Sequence, residues 1–300
     1  MTVQVSTLPS VANWEAIAYG NGVFCAIASG PSNKAAVSVD GVNWTASTLP
    51  ASILWRDIAW NGSVFCAVGE SSICATSPDG VNWTQRALPT SGYWLGIAWN
   101  GSVFCTFRYL SNALATSPDG VTWTARTQSV STLFQDIAWN GSVFCLVGSG
   151  YTVAATSPDG VTWTQRTLPV AAGRGIASNG TIFCVLCGGT AALTSIDGVT
   201  WEQRTLPSDS AWWSLAYGNG VFCAISQNDT AVATSPDGVT WAAHTLPVAE
   251  AWSDIAWGGT VFCVIGYATA SVVTSSDGAF DSTPAPLVPF WRNLFGLSEL

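Results

Sequence analysis

Ser-x-Asp-Gly occurs seven times in this chain, with its Asp at Asp40, Asp79, Asp119, Asp159, Asp197, Asp237 and Asp277. Successive spacings are 39, 40, 40, 38, 40 and 40 residues. A Trp follows four residues after the Asp in six copies, at Trp44, Trp83, Trp123, Trp163, Trp201 and Trp241. A fixed period of about 20–50 residues marks a chain assembled from copies of one supersecondary unit, each burying its apolar face against its neighbours.

One unit can be read from the type repeat at 51–89. Trp55-Arg56-Asp57-Ile58-Ala59-Trp60 is an apolar strand followed by Asn61-Gly62. Asn-Gly between apolar runs predicts a type I′ hairpin turn, which needs positive φ twice. Residues 63–69 form a second strand and 73–76 a third; after the Ser-Pro-Asp-Gly turn, 82–88 form a fourth. Four antiparallel strands in this length make one propeller blade. The expected fold is therefore all-β: a seven-bladed β-propeller of four-stranded antiparallel blades. Its blades lie near 10–50, 51–89, 90–129, 130–169, 170–207, 208–247 and 248–279. The last unit lacks its fourth strand, and residues 1–9 carry the missing Ser-Thr-Leu-Pro ending seen at 47–50. The N-terminal strand is expected to complete blade seven and close the ring, removing an open sheet edge. Residues 280–300 leave the repeat as a short C-terminal tail.

Composition excludes several classes. Charged residues make up 9% of the chain, and the net charge is −9 with a pI near 4.3. Nucleic acid, which needs clustered Lys and Arg, is not an expected partner. No apolar run is long enough to span a bilayer, so no membrane insertion is expected. The N-terminus lacks the basic start and apolar core of a signal peptide. Seven of the nine cysteines follow Phe at one repeat position: Cys25, Cys66, Cys105, Cys145, Cys184, Cys223 and Cys263. They read as small buried side chains. Cys74 could face Cys66 across a hairpin. Cys184-x-x-Cys187 has no second pair and no nearby His, so zinc is not expected. No metal and no cofactor are expected.

Ser-x-Asp-Gly-x-x-Trp between the third and fourth strands resembles the Asp box, or BNR repeat, of sialidase-type propellers, and the likeness covers residues 1–279. That resemblance implies a propeller in which the boxes at Asp40, Asp79, Asp119, Asp159, Asp197, Asp237 and Asp277 are structural turns on the rim. The turn chemistry agrees: short polar side chains bond the backbone and Gly takes positive φ.

The repeats also align the two ends of the propeller. Asn-Gly turns and Asp boxes share one nearly constant end. The blade-to-blade and second-to-third strand loops share the other, and they differ in every repeat. Variation on a common backbone marks a presenting surface. Its candidate ligand-binding residues are Trp14, Trp55, Trp94, Phe134, Arg174, Trp212, Trp213 and Trp252 at the blade junctions, with Tyr109, Tyr151 and Tyr267 in the loops. Aromatic platforms beside small polar groups suit a glycan. The alternative is that the junction Trp residues fill gaps between blades. Asp57, Asp136 and Asp254 share one strand-start position, either as a channel-facing cation site or as satisfied strand-start carboxylates.

The sialidase likeness raises hydrolysis. That family uses three Arg to grip a carboxylate, a Tyr–Glu pair and an Asp acid. Arg86, Arg126, Arg166 and Arg204 recur on the outer strand, which leaves Arg56, Arg108 and Arg174 in separate blades. The only His, His244, is also on an outer strand. No catalytic residues are assigned, and a non-enzymatic role is expected. The repeat wording resembles proteins of bacteriophage tails and fibres. The expectation is a virion component, assembled in host cytoplasm, that presents its variable face to a host-surface glycan or protein receptor. It would attach to other virion subunits through residues 280–300, by Phe290, Trp291, Leu294, Phe295 and Leu297. A free bacterial lectin-like or protein-binding propeller and a glycoside hydrolase are the alternatives.

Overall fold

The computed structural model describes residues 3–128 and 133–281. The described residues form strands and turns, and no helix long and apolar enough to cross a membrane occurs among them. Five antiparallel sheets have four strands each in chain order. In the type repeat these are Trp55–Trp60, Phe65–Gly69, Ile73–Ser77 and Thr84–Ala87. A sixth sheet has seven strands and is built around Val3–Gly20. The first half of that strand pairs with Thr269–Ser275, in register Val3↔Ser275 to Thr7↔Ser271. Its second half pairs with Val23–Ser29. The first strand of each repeat touches the first strand of the next, and Trp252–Trp257 touches Val3–Gly20.

The core lies between successive sheets. Phe65–Gly69 is buried along its whole length, as are its counterparts Phe144–Gly148, Phe183–Cys187 and Phe262–Gly266. A strand packed on both faces reads as a continuous apolar run. One cluster shows the pattern: Cys25 and Ile27 of the first repeat pack on Trp55, Ile58 and Phe65 of the second. All nine cysteines are buried and free. Burial pushes the Cys187 thiol up to about 12, which keeps it in its unreactive form.

The box turn follows from its side chains. Ser77 Oγ donates to Asp79 Oδ1 at 3.0 Å and accepts from the Gly80 N–H at 2.8 Å. Asp79 Oδ1 accepts from the N–H groups of Val81 and Asn82 at 2.9 and 2.7 Å. Trp83 Nε1 donates to the Gly80 carbonyl at 2.8 Å. Gly80 has φ +73°, and a Cβ there would lie 2.7 Å from Val37 Cγ1 of the preceding repeat. The glycine is required twice, by backbone angle and by the approach of the neighbouring sheet.

Two sequence expectations are corrected. The type I′ turn forms at Asn21-Gly22 and Asn219-Gly220, where both residues have positive φ. At Asn61-Gly62 only Gly62 does, with φ +94°. Ser63 adds one residue before the valine there. Asn61 Oδ1 instead accepts from the N–H groups of Ser63 and Val64 at 2.9 and 2.7 Å. The body also runs past residue 279. Phe280 is 0% exposed and packs with Trp252 and Val273. Asp281 Oδ1 accepts from the Thr245 N–H at 2.9 Å, and its Oδ2 bonds His244 Nδ1 at 2.7 Å. Residues 290–297, including the docking candidates Phe290, Trp291, Leu294, Phe295 and Leu297, lie outside the described residues.

Candidate functional site

The functional geometry begins with strand alternation at the start of each first strand. Successive side chains on a strand point to opposite sides. Trp14, Trp55, Trp94, Phe134, Trp212 and Trp252 occupy one repeat position, and all six are buried. The indole N–H groups of Trp14, Trp55, Trp94 and Trp212 donate to the carbonyls of Ser10, Ala51, Thr90 and Ser208, four residues back. These residues are pillars between sheets and present no face to a ligand, which corrects their assignment to a binding surface.

The next residue along does the opposite. Glu15, Arg56, Leu95, Gln135, Trp213 and Ser253 are each skipped in the pairing of the first strand with the second. Trp55 pairs with Gly69 and Asp57 with Val68, so Arg56 is a one-residue bulge. Arg174 takes this place in repeat five. A bulge turns a side chain out of the ladder and re-aims it. Here the bulge residues of all seven repeats converge on one cavity of about 130 Å³. An adjoining space of 250 Å³ shares Glu15, Arg56, Arg174, Trp213 and Ser253 with it and adds Gln227 and Tyr267. Both lie at the variable end, at the mouth of the channel between the first strands. Arg174, Trp213 and Tyr267 are thus brought together. Tyr109 and Tyr151 line neither space.

Below the bulge residues lie Asp57, Asp136 and Asp254. Each carboxylate ties its own strand to the next repeat. Asp57 accepts from the N–H groups of Ile58 and Ile97, both at 2.7 Å. Asp136 accepts from Ile137 at 2.7 Å and Ile176 at 3.0 Å. Asp254 accepts from Ile255 and Ile17, both at 2.9 Å, and from Ser214 Oγ at 2.6 Å. In the repeat each Asp reaches, the same position holds Gly96, Gly175 or Ala16, which leaves room for the carboxylate. These are satisfied strand-start groups, and among the described residues no cluster of metal-ligating side chains occurs. Burial raises all three above the ordinary carboxylate range, Asp136 to about 7 and Asp254 to about 6. Mutual repulsion adds to this: Asp136 acts on Asp57, and Asp254 on Asp136.

The two cations at the mouth differ. Arg56 Nη1 bonds Glu15 Oε1 at 3.1 Å, and its Nε bonds Glu70 Oε1 at 2.9 Å. It is neutralised within the protein. Arg174 forms no ion pair among the described residues and lies over the Trp213 ring, 4.0 Å from its centroid. A larger groove of 310 Å³ sits at the constant end between the Ser-x-Asp-Gly turns at Asp197 and Asp237. Its lining includes box residues already used in turns and the Arg204–Glu202 ion pair. The channel mouth gathers the greater variety of polar and titratable groups in less space.

The arrangement decides the architecture. The protein is a β-propeller. A family model described as the DUF6242 beta propeller domain matches residues 118–255. No curated protein matches the chain. Virginiamycin B lyase from Staphylococcus aureus has a similar structure: TM-score 0.80 at 9% identity, over 91% of this propeller and 98% of that chain. YCF48 bound to D1 peptide gives TM-score 0.71 at 16% identity, over 91% and 96%. A chain of the Mitotic Checkpoint Complex gives 0.69 at 12%, over 91% and 94%. At these identities the likeness is one of fold. The expectation that this propeller is not an enzyme does not stand, because similar structures include streptogramin B lyases, which are enzymes.

Proposed function

We propose that the chain is a seven-bladed propeller, closed by Val3–Gly20, that binds a small polar ligand at the channel mouth. One observation carries this reading. Seven equivalent bulge positions hold Glu15, Arg56, Leu95, Gln135, Arg174, Trp213 and Ser253, and they face one cavity from a nearly constant scaffold. A packing role would favour one residue type, as the pillars one position earlier do. A cavity with convergent polar groups and perturbed carboxyls is the usual form of a ligand site. The wider setting we propose is a bacteriophage virion whose variable end meets a host glycan or protein; its support is the repeat wording. The test is a calorimetric screen of soluble glycans and short peptides against the intact protein. Binding should disappear in Trp213→Ala; binding unchanged in that variant would remove the mouth from consideration.

A second reading has its own support. Asp136 and Asp254, with carboxyls near 7 and 6, lie on the floor of the same cavity. Groups that titrate near neutral pH suit general acid–base work. Turnover of a bound ligand that stops in Asp136→Asn while binding persists would make the mouth an active site.

A further inference from the structure

Repeat five breaks the pattern at the mouth in a way that singles out one side chain. In the other six repeats the bulge contains one residue. In repeat five, Ala172 pairs with Cys187 and the next pair is Ile176 with Val185. Gly173, Arg174 and Gly175 therefore stand opposite Leu186 alone. The glycines allow this loop to sit close. A Cβ on Gly173 would lie 2.6 Å from the Leu186 carbonyl oxygen, and one on Gly175 would lie 3.1 Å from the Trp213 carbonyl oxygen. The widened bulge carries the Arg174 guanidinium onto the indole face of Trp213. Stacking holds a guanidinium flat and leaves its edge donors free. No hydrogen bond or ion pair among the described residues engages Arg174, whereas Arg56 beside it has two carboxylates.

We propose that Arg174 anchors a carboxylate of the ligand, so that the channel mouth takes a small organic acid, of dipeptide or monosaccharide size, in preference to its neutral counterpart. This rests on the reading of the mouth as a ligand site. A flat guanidinium with free edge donors fits a carboxylate by two parallel hydrogen bonds. The adjoining space of 250 Å³ admits a molecule of that size beside Tyr267, Gln227 and Ser253. Charge narrows the choice of anion. Glu15 lines this space, and the three channel aspartates line the 130 Å³ cavity that adjoins it. A singly charged carboxylate meets less repulsion there than a doubly charged phosphate.

The test uses the full chain and matched pairs of probes in calorimetric titration. One pair is N-acetyl-glycylglycine and its C-terminal amide; the other is glucuronate and glucuronamide. The acid of one pair should bind at least about tenfold more tightly than its amide, the size of a single charge-assisted contact. Which pair responds separates a peptide from a sugar source. The preference should vanish in Arg174→Gln and shrink in Arg174→Lys, which keeps the charge and loses the flat fork. Arg174 is exposed, so both variants should melt as the parent does without probe. Equal binding of acid and amide, a preference that survives Arg174→Gln, tighter binding of inorganic phosphate, or no binding of any probe each overturns the inference. Equal binding of acid and amide that is lost in Trp213→Ala would leave the mouth as a ligand site and remove only the anchor.

Discussion

Replacing Asp136 by Asn should flatten the dependence of stability on pH. In the native protein burial lifts this carboxyl from its ordinary 3.8 to about 7, against the hydrogen bonds from Ile137 and Ile176. A group whose pKa is raised on folding binds its proton more tightly in the folded state. Its contribution is therefore most favourable below about pH 4 and declines as pH rises towards 7. Three pKa units correspond to about 4 kcal/mol, and the open mouth above the carboxyl admits water that screens part of it, which leaves roughly 1–3 kcal/mol. Asp57 and Asp254 are raised by burial as well and push the same way. Urea unfolding of the parent should thus show stability falling by roughly 1–3 kcal/mol between pH 5 and pH 8. Asp136→Asn cannot ionise. One of its two bonding N–H groups will face an amide donor, so it should start about 1–2 kcal/mol below the parent at pH 5. Its curve should then fall less and approach the parent by pH 8. Parent stability that rises from pH 5 to pH 8, or an Asn variant with the parent slope, would refute the reasoning.

The other predictions act on separate parts of the fold. On the acid side, backbone N–H bonds from Asn82, Thr122, Thr200 and Thr240 hold Asp79, Asp119, Asp197 and Asp237 below the ordinary range, Asp79 at about 2. Their support should be complete above about pH 4 and lost as pH falls towards 2, which a melting series in that window would show. Trp55→Ala removes a fully buried pillar and should cost about 3–5 kcal/mol, whereas Trp213→Ala at the mouth should cost about 1 kcal/mol or less, measured by chemical unfolding. Gly173→Ala forces a Cβ against the Leu186 carbonyl and should cost about 1–3 kcal/mol, with any acid-over-amide preference reduced because Arg174 shifts with the loop.

The period, the strands and the box turns were legible because local chemistry dictates them. Ser77, Asp79, Gly80 and Trp83 satisfy one another within seven residues, so no distant partner is needed to recognise them. The Asn-Gly turns were half legible. Asn21 and Asn61 have the same following residue, and the turn type depends on whether Ser63 or its absence sets the distance to the valine. Phe280 reads as tail because the fourth-strand wording of the other repeats does not follow Asp277-Gly278, yet it packs against Trp252 and Val273, a contact only the folded propeller creates.

Arg174, Trp213 and Tyr267 of the candidate site are legible in the sequence, whereas in the other repeats the aromatic expected there stands one residue too early, for a physical reason. Trp14, Trp55, Trp94, Phe134, Trp212 and Trp252 have the chemistry of stacking platforms, but burial is what large aromatics are best at, and all six are buried. Alternation places the neighbour of a buried residue on the other side, and the bulge adds to this by freeing that neighbour from the ladder. A usable signal was present in the sequence. Aligned by repeat, the pillar position is nearly uniform, the position after the bulge holds Asp or a small residue, and the one after that is Ile or Leu. Only the bulge position changes chemistry almost every time, from Glu15 through Arg56, Leu95, Gln135, Arg174 and Trp213 to Ser253. In a chain of near-copies, a constant position answers to the shared fold. A position that changes between most copies, while its neighbours vary little, is where the copies are free to differ, and in this propeller those side chains line the space at the channel mouth.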